Sequence, residues 1–197
     1  MNNIIFIEGV SGVGKTTTTT LLLKELEGMG YKADCFIEGA NNNPLDPFEG
    51  TYPPVIPITE YIQTYIHCWQ NFMEARFKND FMIIDGTLLH HQINDLIREY
   101  SASDEIIANH LASLLHIILP LNPILFYLSS NNVQQRLIQA RKSRNQSAPT
   151  TERIKFWENR KRVDLYVLEE LPIESHILDV NNGWDAIINT IVGHIAT

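Results

Sequence analysis

Only two cysteines, Cys35 and Cys68, occur among the 197 residues, and they stand too far apart for a CxxC pair. That excludes a cysteine-built zinc site, and both thiols are expected as small buried apolar residues. Basic charge is scarce as well: 15 Lys and Arg stand against 23 Asp and Glu, for a formal net charge of −8. That balance argues against gripping a phosphate backbone as the chain's main task, so no nucleic-acid polymer is expected as a partner. Long apolar runs are missing too. The stretch 111–128 is broken by His116, Pro120, Asn122 and Pro123, so no membrane helix is expected. No basic region precedes the apolar residues 4–7, so no signal peptide is expected, and the cytoplasm is the expected location.

What is present suits one compact domain over 1–197, with 44% hydrophobic and 19% charged residues. Five short apolar runs, 4–7, 33–37, 81–84, 124–128 and 176–180, are nearly continuous rather than alternating. Strands buried on both faces of a parallel sheet read this way. Helical spacing fills the gaps at 15–29, 57–77, 88–98, 104–119, 131–142, 151–171 and 184–195. Strands alternating with helices predict an α/β layered fold with right-handed crossovers. The segment 39–57, with five prolines and three consecutive asparagines, is long for a plain connection. The apolar helix expected at 111–119 suits a core or the face of a homodimer equally well.

The most specific signal is Gly9-Val10-Ser11-Gly12-Val13-Gly14-Lys15-Thr16, which follows a predicted strand, opens a predicted helix and fits GxxxxGK[ST]. Its glycines let the backbone bend so that several N–H groups point inward. The helix start adds free N–H groups and its positive dipole end. We expect Gly9, Ser11, Gly12, Val13, Gly14, Lys15, Thr16 and Thr17 to hold ATP. In that set Lys15 faces the β- and γ-phosphates, and Thr16 presents its hydroxyl to Mg²⁺. Glu8, just before the loop, stands either near the metal or in a structural ion pair.

Phosphoryl transfer needs further charges. Asp85 ends the apolar run 81–84, at the edge where ligands of parallel sheets bind, and is expected to hold Mg²⁺ with Thr16. Glu38 occupies the matching place after the second strand and is the candidate general base. Arg136, Arg141, Lys142 and Arg144 form a basic group within a lid-like segment near 136–150, with Arg136 and Arg141 as candidate catalytic cations. The run Arg153, Arg160, Lys161 and Arg162 reads mainly as exposed helix surface, with Arg160 a further candidate cation, and His90 and His91 as exposed or packed helix residues.

In order, these residues resemble the nucleoside and nucleotide kinase branch of P-loop proteins, such as thymidylate kinases and deoxynucleoside kinases. The likeness rests on the loop 9–16, Glu38, Asp85-Gly86-Thr87 and the segment 136–144. It implies a three-layer P-loop NTPase fold, with a five-stranded parallel sheet in order 2-3-1-4-5 flanked by helices. It implies Mg·ATP as phosphate donor and a small hydroxyl- or phosphate-bearing acceptor. By the same resemblance Glu38, Asn41, Asn42, Tyr65, Trp69, Gln70 and Phe72 line the acceptor pocket, and Asn182 lies near the adenine. This chain differs in one place: where such kinases carry an acidic residue followed by arginine, it has Asp85-Gly86. The acceptor therefore stays open among nucleosides, nucleotides and other hydroxyl-bearing small molecules. The competing class is a nucleotide-binding switch or NTPase module with no small-molecule acceptor; a GTPase version lacks an Asn-Lys-x-Asp segment.

Overall fold

In a computed structural model, residues 3–38, 43–48, 55–74 and 78–195 are described. Strand and helix alternate as β1 (Asn3–Glu8), α1 (Lys15–Gly28), β2 (Ala33–Phe36), α2 (Ile58–Glu74), β3 (Phe81–Asp85), α3 (Gln92–Arg98), α4 (Asp104–Ile118), β4 (Ile124–Ser129), α5 (Val133–Ser143), α6 (Thr151–Glu170), β5 (Glu174–Asp179) and α7 (Trp184–Ile195). The strands form one five-stranded sheet in order β2-β3-β1-β4-β5, with every neighbouring pair parallel. This is the expected order.

Each central strand feeds two cores because its side chains alternate. Ile4, Phe6, Met82, Ile84, Leu125 and Tyr127 pack with α2, α3, α4 and α6 on one face. Ile5, Ile7, Ile83, Phe126 and Leu128 pack with α1, α5 and α7 on the other. The continuous apolarity of these three strands follows from cover on both sides. The outer strands differ from expectation: β2 and β5 are mostly half-buried, because an edge strand lacks a neighbour. Both cysteines are half-buried rather than buried, and Cys68 Sγ donates to the Pro44 carbonyl at 3.3 Å.

One helix also differs. The one expected over 88–98 is a π-turn, Thr87–His91, running into α3. In α4, Leu111, Leu114, Leu115 and Ile118 are fully buried and build the core, whereas Ile106 is largely exposed. Among the described residues, no helix is long and apolar enough to cross a membrane.

Register places the chemistry. Ile7 of β1 stands beside Asp85 of β3, and Glu8 beside Tyr127 of β4. The ends of β1, β3 and β4 thus form one C-terminal edge, where parallel α/β sheets bind ligands.

Candidate phosphate-binding site

Leaving β1, the chain must turn within a few residues to start α1, and left-handed backbone at Gly12 (φ 87°) and Gly14 (φ 99°) makes that turn. The turn is also crowded. A Cβ on Gly14 would come within 2.2 Å of Trp184 Cη2, and one on Gly12 within 2.9 Å of the Arg136 carbonyl. A cavity of about 530 Å³ opens over this turn. Its walls include Ser11, Gly12, Gly14, Lys15, Thr16, Thr17, Glu38 and Arg144. Gly9 and Val13 serve from behind: the Gly9 carbonyl accepts from Lys15 Nζ at 3.2 Å, and the Val13 side chain is buried in the lower core.

Lys15 is nearly buried and uses its ammonium fully. It reaches the Gly9 carbonyl, His90 Nδ1 at 3.2 Å and Glu38 Oε2 at 3.3 Å. Glu38 in turn meets His90 Nε2 at 3.1 Å and His91 Nε2 at 3.7 Å. Nδ1 also lies 3.3 Å from the Gly9 carbonyl, but only the Nε2–H tautomer satisfies both the ammonium and the Glu38 carboxylate, so we assign Nδ1 as acceptor and Nε2–H as donor to Glu38. Burial first, then Lys15 and Arg160, hold the His90 imidazole well below its ordinary pKa, so it is neutral.

Thr16 Oγ1 donates to Asp85 Oδ2 at 2.6 Å. Asp85 Oδ1 is buried and has no hydrogen-bond partner among the described residues. Burial pushes this carboxyl above its usual range, against the pull of Lys15 and of the Thr16 hydroxyl. Thr16 lines the cavity, and Asp85 is wholly buried behind it, outside the lining; the threonine hydroxyl and the unpartnered carboxylate oxygen are oxygen donors of the kind that Mg²⁺ takes.

Glu8 is not at this metal position. Its carboxylate accepts from the amides of Leu88, Leu89 and His90 at 2.8, 3.0 and 3.1 Å. Burial drives its pKa up to about 8, with Lys15 and the amides of Leu89 and His90 opposing. The same turn is gripped from its carbonyl side. Arg160 donates to the carbonyls of Leu89 at 2.7 Å and His90 at 3.3 Å, and pairs with Asp164 at 2.7 Å. Arg160 is therefore wholly buried, not helix surface. Glu8 and Arg160 together fix the π-turn that aims His90 at Lys15 and Glu38.

Other expected residues lie elsewhere. Arg141 turns to Ser147, whose carbonyl and hydroxyl it binds, and lines a separate cavity of about 400 Å³ with Arg98 and Arg153. Arg144, one turn on, faces the phosphate cavity instead. Arg136 donates to Asn181 Oδ1 at 2.7 Å and to the Val180 carbonyl at 3.4 Å, joining α5 to the end of β5. Asn182 is exposed beside that junction and is not among the cavity's lining residues. Tyr65 and Trp69 are core residues: the Trp69 indole N–H donates to the Leu45 carbonyl at 3.0 Å, and its ring stacks on Phe6. They brace the segment 43–48 from below and leave no free ring face. Gln70 is exposed, off that buried stripe. Asn41 and Asn42 lie outside the described residues.

Sequence patterns missed the roles of His90, His91 and Trp184, and offered Arg160 as a cation for phosphoryl transfer rather than as a buried clamp. The available signal was position: both histidines follow the β3 end by only a few residues, at the ligand-binding edge.

No protein-family model and no curated protein matches the sequence. Solved structures do. The YorR protein of Bacillus subtilis, in complex with phosphorylated GDP, aligns with a TM-score of 0.62 at 15% identity, over 98% of this chain and 95% of its own. A deoxyadenosine kinase from M. mycoides with bound dATP gives 0.56 at 16% identity, over 98% of this chain and 100% of its own. The same enzyme with the products dCMP and dCDP gives 0.52 at 19% identity, over 98% of each chain. The chain thus shares the fold of the P-loop nucleoside and nucleotide kinases.

Proposed function

We propose that this protein is a small-molecule kinase that transfers the γ-phosphoryl group of ATP to a nucleoside, a nucleotide or a related hydroxyl-bearing acceptor. One observation carries it: Glu38, a part-exposed carboxylate, faces the phosphate cavity 3.3 Å from the P-loop lysine. A switch that only binds nucleotide has no need of such a group there, and an NTPase that used it to activate water would hydrolyse ATP at full rate with no acceptor present. Acceptor class is supported by the neighbours, which hold dATP, dCMP or phosphorylated GDP on the same fold.

On this proposal the loop 9–16 cradles the β- and γ-phosphates, and the free amides at the start of α1 add their positive end. Thr16 and Asp85 would hold Mg²⁺, which supplies charge neutralisation on the phosphate oxygens. Lys15 moves from Glu38 to the γ-phosphate oxygens. Glu38, oriented by the neutral His90, accepts the acceptor's hydroxyl proton as the oxygen attacks in line. Arg144 stands at the cavity rim to meet charge on the moving group. The chain is proposed to work as one domain, with the segment near 136–150 as its lid and the cytoplasm as its location.

The test is transfer from γ-labelled ATP over a panel of nucleosides, nucleotides, sugars and aminoglycosides. Wild type should label at least one acceptor. E38Q should keep ATP affinity while transfer falls by roughly 10²–10⁴-fold, the usual worth of a general base. Label transfer by E38Q at the wild-type rate, or no acceptor labelled at all, would refute the proposal.

A further inference from the structure

The first residues of β5 and the last turn of α7 meet at the sheet edge opposite the phosphate cavity. Glu174 and His176 are two apart on β5 and so share one face of the strand. His194 approaches from α7. Glu174 Oε1 lies 2.6 Å from His176 Nε2 and 3.9 Å from His194 Nδ1, and the three ligand atoms all fall within 4.8 Å of one another. The two imidazoles lie 3.8 Å apart between centroids. Phe126, the register partner of His176 on β4, stacks on its ring at 5.4 Å and touches that of His194 at 6.0 Å. Phe126 thus backs both rings, which lie 34° from parallel with one nitrogen of each within 4.8 Å of the other and of the Glu174 carboxylate.

We propose that Glu174, His176 and His194 form a divalent transition-metal site, for Zn²⁺ foremost, that ties the edge strand β5 to the last helix. Two imidazoles and one carboxylate suit an ion of intermediate softness, whereas Mg²⁺ and Ca²⁺ take oxygen ligands. Bonds of about 2.0–2.1 Å in a tetrahedral site set ligand atoms roughly 3.3 Å apart, and the fourth position is left to water. The observed 2.6 and 3.9 Å straddle that spacing. Glu174 and His194 are exposed, so small χ rotations close the site without moving the core. The ion takes the place of the proton that His176 Nε2 now donates to Glu174. The site is independent of phosphoryl transfer, but it pins the helix whose first residue, Trp184, lies against Gly14.

Zn²⁺ titration of tag-free protein, by calorimetry and by competition with a chromophoric chelator, tests this. Wild type should take up one Zn²⁺ per chain, and its melting temperature should rise with Zn²⁺ but not with Mg²⁺. H194A and H176A should each bind at least about tenfold more weakly. E174Q, which keeps shape and loses only charge, should also weaken binding, and it serves as the informative variant if either histidine change unfolds the chain by circular dichroism. No stoichiometric Zn²⁺ uptake by wild type, or unchanged affinity in both H194A and E174Q, would overturn the proposal; binding at other histidines, such as the exposed His67 and His116, would leave those variants unaltered.

Discussion

Replacing Arg160 with methionine removes the guanidinium at the centre of the polar network beneath the phosphate cavity. Arg160 and Asp164 are fully buried and 2.7 Å apart. The same guanidinium also serves the carbonyls of Leu89 and His90 and the Asn94 side chain. Methionine keeps much of the volume but leaves Asp164 with only the Tyr127 hydroxyl at 2.8 Å. Breaking one half of a buried pair costs about 3–5 kcal/mol. At about 2.1 cal/mol/K per residue, 197 residues give an unfolding entropy near 0.41 kcal/mol/K. The melting midpoint should therefore fall by about 7–12 °C. Urea denaturation and calorimetry read both quantities.

Adding D164L to R160M should restore part of the loss, since the lone carboxylate goes, although the Leu89 and His90 carbonyls stay without a donor. The pH dependence has a definite sign. Burial already pushes the Asp164 carboxyl upward, held back mainly by Arg160. Without Arg160 the folded chain prefers the protonated acid more than the unfolded chain does. R160M stability should then fall as pH rises above the ordinary carboxylate range near about 4. A loss under about 1 kcal/mol in R160M, or further destabilisation by D164L in that background, would refute the reasoning.

At Gly86 (φ +66°) a Cβ would lie 2.8 Å from Glu38 Oε2 and 3.0 Å from Lys15 Cε. Both are flexible side-chain atoms, so G86A should cost only about 1–2 kcal/mol in stability. It should lower phosphoryl transfer by roughly 10²-fold, since the displaced groups are the reacting ones; wild-type turnover in folded G86A would count against Glu38 and Lys15 acting together. G14A must push the Trp184 ring aside, because the added Cβ would lie 2.2 Å from its Cη2. Titration with MgATP should show affinity at least about tenfold weaker, and an unchanged value would mean that the turn tolerates the shift. Burial lowers the His110 pKa to about 4, so the folded chain binds its proton less readily than the unfolded one. Stability should be full above about pH 6.5 and lose up to about 3 kcal/mol as pH falls towards 4. In H110Q the urea midpoint should depend less on pH across that window, and an identical slope would refute the assignment.

The loop 9–16 and the central strands were legible because both signals are local, whereas the strand order came only through the family resemblance. A Gly-Lys-Thr spacing between strand and helix states its own geometry, and three strands covered on both faces announce themselves as continuous apolar runs. The polar core was not legible. Arg160 stood out from its basic run only as a candidate cation, and only the fold brings Leu89, His90 and Asn94 to its guanidinium. His90 and His91 looked like helix residues, because nothing local shows that Glu8, 80 residues upstream, caps their turn. Trp69 at helical spacing was legible as apolar, but the Leu45 carbonyl that takes its indole N–H comes from a distant loop. Charge pattern found the α5 basic group but not its direction. Only the turn of the helix end assigns Arg144 to the phosphate cavity and Arg141 to Ser147.

The wiring of Lys15 gives the proposed reaction its order. A nearly buried ammonium has three protons, and Gly9, His90 and Glu38 supply three acceptors. Polyphosphate oxygens are stronger partners than a carbonyl or a part-exposed carboxylate, and Glu38 lines the cavity they would occupy. Lys15 moves to them at little cost, because one charge-assisted bond replaces another. Glu38 then loses its cation but keeps the neutral His90, which cannot quench its basicity as an imidazolium would. Donor binding and release of the base are thus one event, and a carboxylate tied up until ATP arrives is poorly placed to deprotonate anything beforehand. The arrangement depends on His90 staying uncharged, which its burial and the facing ammonium secure, and on the π-turn that Glu8 and Arg160 clamp from opposite sides.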